Sequence, residues 1–294
     1  MSKELIFPVK CGNMIKKGVE NMNKKLKKTV FAVVLIIALV LACALPQAVG
    51  ETVSSGQALF GDKQTWIAHR GLSASYPENT VPAFEAAGEH GFYGAECDVH
   101  TTSDGVFIVM HDDDVDRCAD GEGEIEELSF AEISAMRIDA GNGIENYADL
   151  KIPTFEEYLD ICRRYGMVPY IELKKLDTQY LPEFFELLDK YGFRKNAVLI
   201  SFNMDYLLAA RELDENIYMM FLSNDPSKEQ IDVCAENGFG LDLNFGNLIK
   251  YIPEFRYAKQ KGLDIAMWVV DYPLITDFFH LIGVDYITTN RIVP

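Results

Sequence analysis

The sequence predicts an α/β fold, a (β/α)8 TIM-type barrel with a small hairpin and loop insertion after its second strand. Three observations carry that prediction. From about residue 65, short β-branched runs alternate with helical patterns, and eight such strands can be counted before the chain ends. The cycle fills roughly 230 residues, the usual size of such a barrel. No Gly-rich dinucleotide fingerprint is present, which weakens the case for a doubly wound sheet built on the same alternation.

In chain order, strands are expected at Thr65–His69, Ala95–Val99, Val168–Glu172, Val198–Ser201, Ile217–Leu222, Gly240–Leu243, Ile265–Val269 and Tyr286–Thr289. Helical patterns lie between them, near 79–90, 154–165, 180–191, 203–214, 227–237, 250–261 and 274–282. One run breaks the cycle. Val106–Met110 follows the second strand after only His100 and Thr-Thr-Ser-Asp-Gly. Parallel strands need a crossover of about a dozen residues or more, so this return must be antiparallel and leave the barrel. Its far end comes back beside Glu96 and Asp98. An insertion, about 104–150, follows from that hairpin; its later part, 113–150, is acidic and loop-rich (CADGEGEIEELSF). It is too short to hold a core of its own, so 51–294 reads as one domain.

The chain carries a net charge of −18, which argues against nucleic acid as a partner, because phosphate backbones need basic faces. The charge is unevenly placed. Residues 1–50 hold eight Lys and two acids, which leaves 51–294 at −24. An acidic domain of this kind can still bind a phosphorylated ligand through a divalent cation or a few placed bases.

The basic excess precedes Val30–Leu45, sixteen residues without a charge, ended by Pro46. A permanent membrane span wants about 20 apolar residues. The basic stretch, apolar run and small residues Ala48-Val49-Gly50 instead suggest a secretory signal, and Met22-Asn23-Lys24-Lys25 looks like its beginning. Val40-Leu41-Ala42-Cys43 also resembles a bacterial lipobox with Cys43 as the lipidated residue, and an uncleaved anchor is the third form. Residues 1–50 are therefore expected to be a leader and 51–294 to be exported, either extracellular or held at the cell surface. Membrane contact is expected only through that leader or a lipid. The cysteines at 97, 118, 162 and 234 are scattered, with no CxxC pair and no zinc spacing, and read as buried free thiols.

Barrel active sites lie at the C-terminal ends of the strands. Those ends carry His69-Arg70, then Glu96 and Asp98, then Glu172 with Lys174, then Trp268, and last Asn290-Arg291. Three carboxylates at one mouth repel one another unless a cation lies between them, and an oxygen-only set suits calcium or magnesium. His69 and His111 make a plausible acid and base pair. Pro77-Glu78-Asn79-Thr80 reads chiefly as a helix-capping turn. His90 and His280 read as bland, and His100, placed at the hairpin turn, has no assigned role.

These motifs, in this order, resemble the glycerophosphodiester phosphodiesterase family: His69-Arg70-Gly71, Pro77-Glu78-Asn79-Thr80, Glu96-x-Asp98, Thr102-x-Asp104-Gly105, His111-Asp112, Ile152-Pro153-Thr154 and Glu172-x-Lys174. Trp268 and the closing Asp285–Asn290 are similar to that family's last two strands, so the resemblance covers about 65–294. It implies Glu96, Asp98 and Glu172 as ligands of one divalent cation, Ca²⁺ or Mg²⁺. It implies His69 and His111 as acid and base, with Arg70, Lys174 and Trp268 contacting substrate. Cys97 between two ligands and Asp271, where the family often has Asn, are departures. The implied reaction is hydrolysis of deacylated phospholipids, small-molecule glycerophosphodiesters, to sn-glycerol 3-phosphate and an alcohol. Two other readings stand beside it. One is a phospholipase or sphingomyelinase D-like enzyme acting on intact lipids; the other is a non-catalytic surface binding protein on the same barrel.

Overall fold

The structure, a computed structural model, describes residues 65–272, 279 and 282–291. Its strands are β1 (Thr65–Ala68), β2 (Gly94–Thr101), β3 (Phe107–Val109), β4 (Val168–Leu173), β5 (Val198–Ser201), β6 (Tyr218–Ser223), β7 (Gly240–Asn244), β8 (Ile265–Trp268) and β9 (Tyr286–Thr289). The helices are α1 (Val81–Glu89), α2 (Phe130–Ala135), α3 (Phe155–Tyr165), α4 (Leu181–Tyr191), α5 (Met204–Leu213), α6 (Lys228–Asn237) and α7 (Ile252–Gln260). Neighbouring strands run β1-β9-β8-β7-β6-β5-β4-β2, and a β1–β2 pairing closes the ring. All of these pairings are parallel, so the eight barrel strands are the expected ones to within a few residues. The leader, the domain boundary near residue 50 and most of the helix expected at 274–282 lie outside the described residues. Among the described residues, no helix is long and apolar enough to cross a membrane.

β3 is the expected antiparallel excursion, with Val99 opposite Val109 and Thr101 opposite Phe107. β2 is longer than alternation suggests because its two ends pair with different strands of the one nine-stranded sheet. Its start pairs with β1, its end with β3, and β4 runs beside it from Gly94 to Val99. All eight of its residues are buried. His100 therefore sits within β2 and is buried, while the turn itself falls at Thr102–Val106, closed by a Thr102 N–H to Val106 carbonyl bond of 2.9 Å.

The insertion differs from expectation. Val115, Ile125, Ile133, Ile138 and Leu150 bury together against Ile108 and Met110 of the hairpin and form a satellite core. These apolar residues stand singly between charged or polar ones, with no strand or helix period to betray them. Its helix α2 begins with a reciprocal cap between Ser129 and Glu132.

Pro169 inside β4 has no N–H to give the ladder. Beside it, the Tyr158 hydroxyl of α3 donates to the Ala95 carbonyl at 2.6 Å and accepts from Tyr170 N–H at 3.1 Å, bridging β2 and β4. Tyr158→Phe leaves both backbone groups buried and bare, at about 1–3 kcal/mol for each such group. A fall of that order in urea-unfolding stability is the expected result; an unchanged midpoint would show that the bridge is dispensable.

Candidate active site

The site is built on β2 and β4. Glu96 and Asp98 lie two residues apart on one face, and the register sets Asp98 directly opposite Glu172. Oxygen atoms of Glu96, Asp98 and Glu172 all lie within 4.8 Å of one another, and the three residues are buried. Burial, then the neighbouring Asp98, pushes Glu96 well above the usual carboxylate range. The same two causes push Glu172 up to about 8. Burial would also raise Asp98, but Arg70, Lys174 and the Asn79 amide outweigh it and hold it down at about 2. Without a cation, then, the cluster resists full ionisation.

The residues present fit a hard divalent ion. All three side chains offer oxygen, and Asp98 Oδ1 is buried with no hydrogen-bond partner. Fully ionised, the triad with Arg70 and Lys174 carries one net negative charge. A divalent ion turns that to one positive charge, which matches a phosphodiester monoanion.

Two loops hold this centre. Arg70 and Asn79 both take left-handed backbone, φ 56° and 55°, which side chains seldom adopt. In that conformation the Arg70 N–H donates to Glu96 Oε2 at 2.8 Å, and the Asn79 amide donates to Asp98 Oδ2 at 2.7 Å. Gly71 must be glycine: its φ is 74°, and a Cβ there would lie 2.5 Å from the Ala83 backbone. The Pro77–Thr80 segment is thus more than a cap. Thr80 does cap α1, while Asn79 orients a carboxylate and Glu78 grips Arg70 at 3.0 Å.

Each histidine has its ring orientation fixed. His69 Nδ1 bonds Asn290 Oδ1 at 2.7 Å. Asp271 accepts from Asn290 Nδ2 at 2.9 Å and from its N–H at 2.8 Å, so the amide oxygen must face the ring. His69 Nδ1 therefore carries the proton and Nε2 keeps its lone pair. Burial first, then Arg70, lowers its pKa to about 4. His111 follows β3, whose next N–H, from Met110, donates to the Asp98 carbonyl at 3.0 Å. Its Nδ1 bonds Asp112 Oδ1 at 2.6 Å. Asp112 in turn pairs with Arg117, and Arg117 with Glu78 at 2.7 Å, so the insertion is tied to the Arg70 loop.

Seven of the eight residues singled out in the sequence line one cavity: His69, Arg70, Glu96, His111, Glu172, Lys174 and Trp268. Asp98 lies buried behind them. Lys174 faces the acids, 3.0 Å from Glu172 Oε1 and 3.7 Å from Asp98 Oδ1. Trp268 meets Phe202 edge to face, with ring centres 5.8 Å apart.

A profile of the glycerophosphoryl diester phosphodiesterase family matches residues 69–293. The chain belongs to that family. A glycerophosphodiester phosphodiesterase of Caldanaerobacter subterraneus subsp. tengcongensis is 30% identical over 229 residues, covering 76% of this chain and 93% of that one. The human glycerophosphodiester phosphodiesterase 1 is 32% identical over 161 residues, 53% of this chain and 48% of the human one. A solved glycerophosphodiester phosphodiesterase from Parabacteroides distasonis superposes with a TM-score of 0.65 at 28% identity, covering 77% and 92% of the two chains. An Oleispira antarctica phosphodiesterase, solved with the product sn-glycerol-3-phosphate, shares the fold at a TM-score of 0.69 and 24% identity, with 77% and 92% covered. The protein is thus a hydrolase of glycerophosphodiesters. Phosphodiesterases of this family are divalent-metal dependent, and the buried acidic triad is present for that ion.

The sequence assigns no role to Asn290, Asp271, Asp112 or Arg117, and reads Glu78 only as part of a capping turn. Asp112 was detectable as the neighbour of His111, and Asn290 as a strand-end residue. Arg117 gives no local signal, because its partners come from 5 and 39 positions away. Asp271→Ala removes both acceptor oxygens that fix the Asn290 amide and N–H. Turnover should fall by about 10–10²-fold, as when other groups that orient a catalytic histidine are lost, with metal affinity kept. Wild-type turnover in this variant would show that the relay does not set the ring.

Proposed function

We propose that one Ca²⁺ or Mg²⁺ is held by Glu96, Asp98 and Glu172, and that His69 and His111 act on opposite ends of the bond that breaks. When bound, the ion would supply positive charge for the non-bridging phosphate oxygens. Arg70 and Lys174 border the same space and would bind those oxygens as negative charge builds up. His69, neutral at pH 7 with Nε2 free, is equipped to take a proton from the attacking water, whose oxygen forms the new bond to phosphorus. As the bond from phosphorus to the departing oxygen breaks, His111 would give that oxygen its Nε2 proton. Asp112 beside Nδ1 holds the ring for that task and balances its positive charge. The products would be sn-glycerol 3-phosphate and the head-group alcohol.

The observation that carries this reading is the hairpin. It returns His111 to the rim of the acidic cluster built by the strand it leaves. Assaying glycerol phosphate release from a panel of glycerophosphodiesters, with intact phospholipids alongside, tests it. Cleavage of the deacylated compounds is expected; cleavage of intact lipids alone would overturn it.

We further propose that residues 1–50 direct export of the enzyme, leaving it outside the cytoplasm or held at the membrane through Cys43 or an uncleaved leader. The basic stretch ahead of an uncharged apolar run supports this. Cell fractionation, with fatty-acid labelling of wild type and Cys43→Ala, separates the forms. A purely cytoplasmic product would contradict all of them.

A further inference from the structure

The cavity wall formed by the later strands carries polar groups that the reaction scheme does not use. Along β7, β8 and β9, alternate residues point into the barrel, which brings Asp242, Trp268 and Thr288 to the cavity. Asp242 is 1% exposed. Its Oδ2 accepts from the Tyr170 hydroxyl at 3.4 Å, and its Oδ1 has no partner. Trp268 Nε1 and Thr288 Oγ1 are also buried with no partner. A buried polar atom left bare opposes folding, and most native ones are paired. Three around one cavity point to a ligand that pairs them.

The character of the wall says what that ligand end is. Among the described residues Asp242 forms no ion pair, and its surroundings include Ile200, Leu222 and Met220. Burial pushes its pKa up to about 8, so near neutral pH it is an uncharged acid able to donate and to accept. That suits a hydroxyl better than a cation. Position argues the same way. Of the residues lining the cavity, Phe202, edge to face with Trp268, is 42% exposed and so borders its open side, whereas Asp242 is buried and so lies at its inner end. The glycerol end is common to all glycerophosphodiesters and brings two free hydroxyls. The variable head group needs the open side.

We propose that Asp242, with Thr288 Oγ1 and Trp268 Nε1, is the specificity-determining floor that binds the free hydroxyls of the glycerol end. This rests on the phosphodiesterase reading above and adds the direction in which the substrate lies.

Binding of product analogues to the metal-loaded full chain tests it without relying on turnover. Calorimetry should show sn-glycerol 3-phosphate binding about 10–10²-fold tighter than propyl phosphate, which lacks both hydroxyls. Asp242→Leu should bring that ratio to within about threefold of unity, while Asp242→Asn, which keeps a donor and an acceptor, retains most of it. Thr288→Val should lower the ratio in the same direction and serves if Asp242→Leu does not fold. A wild-type ratio in either Asp242→Leu or Thr288→Val would overturn the proposal. So would a loss of phosphocholine affinity in Asp242→Leu with the glycerol ratio intact, since that makes it a head-group residue. Wild-type protein that binds neither phosphate overturns the phosphodiesterase reading itself.

Discussion

His69→Ala and His111→Ala should each lower turnover by about 10²–10⁴-fold, the range for a positioned acid or base. The double variant should lose far less than the product of the two. Groups that serve one proton-transfer scheme are not additive, because removing either already forfeits the concerted path. The structure gives the reason for expecting both to matter. His69 is locked through Asn290 onto Asp271, and His111 is locked onto Asp112, so both present Nε2 to one cavity. Neither supplies an oxygen to the acidic cluster, so calorimetric metal binding should survive both changes. Near-normal turnover in His111→Ala would make the hairpin a structural feature and remove the observation on which the assignment rests.

Stripping divalent ions should abolish turnover, and adding Ca²⁺ or Mg²⁺ should restore it. Glu172→Gln keeps the side chain's shape and one oxygen but removes the charge, so it should lose metal affinity and activity together, by about 10³-fold or more in rate. Lys174 would still have Asp98 as a partner, at 3.7 Å, which favours folding of the variant. A stability readout is independent of chemistry. An ion that binds only the folded state at a hundred times its Kd adds about 2.7 kcal/mol. The thermal midpoint of the wild type should therefore rise by several degrees on metal addition, and that of Glu172→Gln should not. Full activity after exhaustive chelation would contradict the proposed role of the triad.

Much of the fold and part of the site follow from short-range pattern. A strand repeats every two residues, so Glu96 and Asp98 had to share a face wherever β2 lay. A six-residue link cannot cross over, so the next run had to be antiparallel and had to return His111 to Asp98. Glu172 needed only the order of the strands, and the register then set it opposite Asp98. What escaped the sequence was fixed by tertiary contact. Asp271 and Asn290 reach His69 from about two hundred residues away. Arg117 and Glu78 meet across the insertion, and the insertion's apolar residues lack any period. The sequence puts His100 at the turn because alternation does not reveal that β2 runs past the barrel rim into the hairpin. Asp242 was in reach: it alternates with Leu241 and Leu243 on a barrel strand, and an acid at an inward position is a signal in itself.

The most direct test follows phosphorus through the reaction. Wild-type enzyme with added Mg²⁺ or Ca²⁺, given glycerophosphocholine and watched by ³¹P NMR, should convert the diester signal to that of sn-glycerol 3-phosphate, with free choline in equal amount. Phosphocholine and glycerol in their place would mean that the other ester bond breaks and that the substrate lies the opposite way round. A diester signal unchanged with either ion would contradict the account of the site as a metal-assisted phosphodiesterase centre.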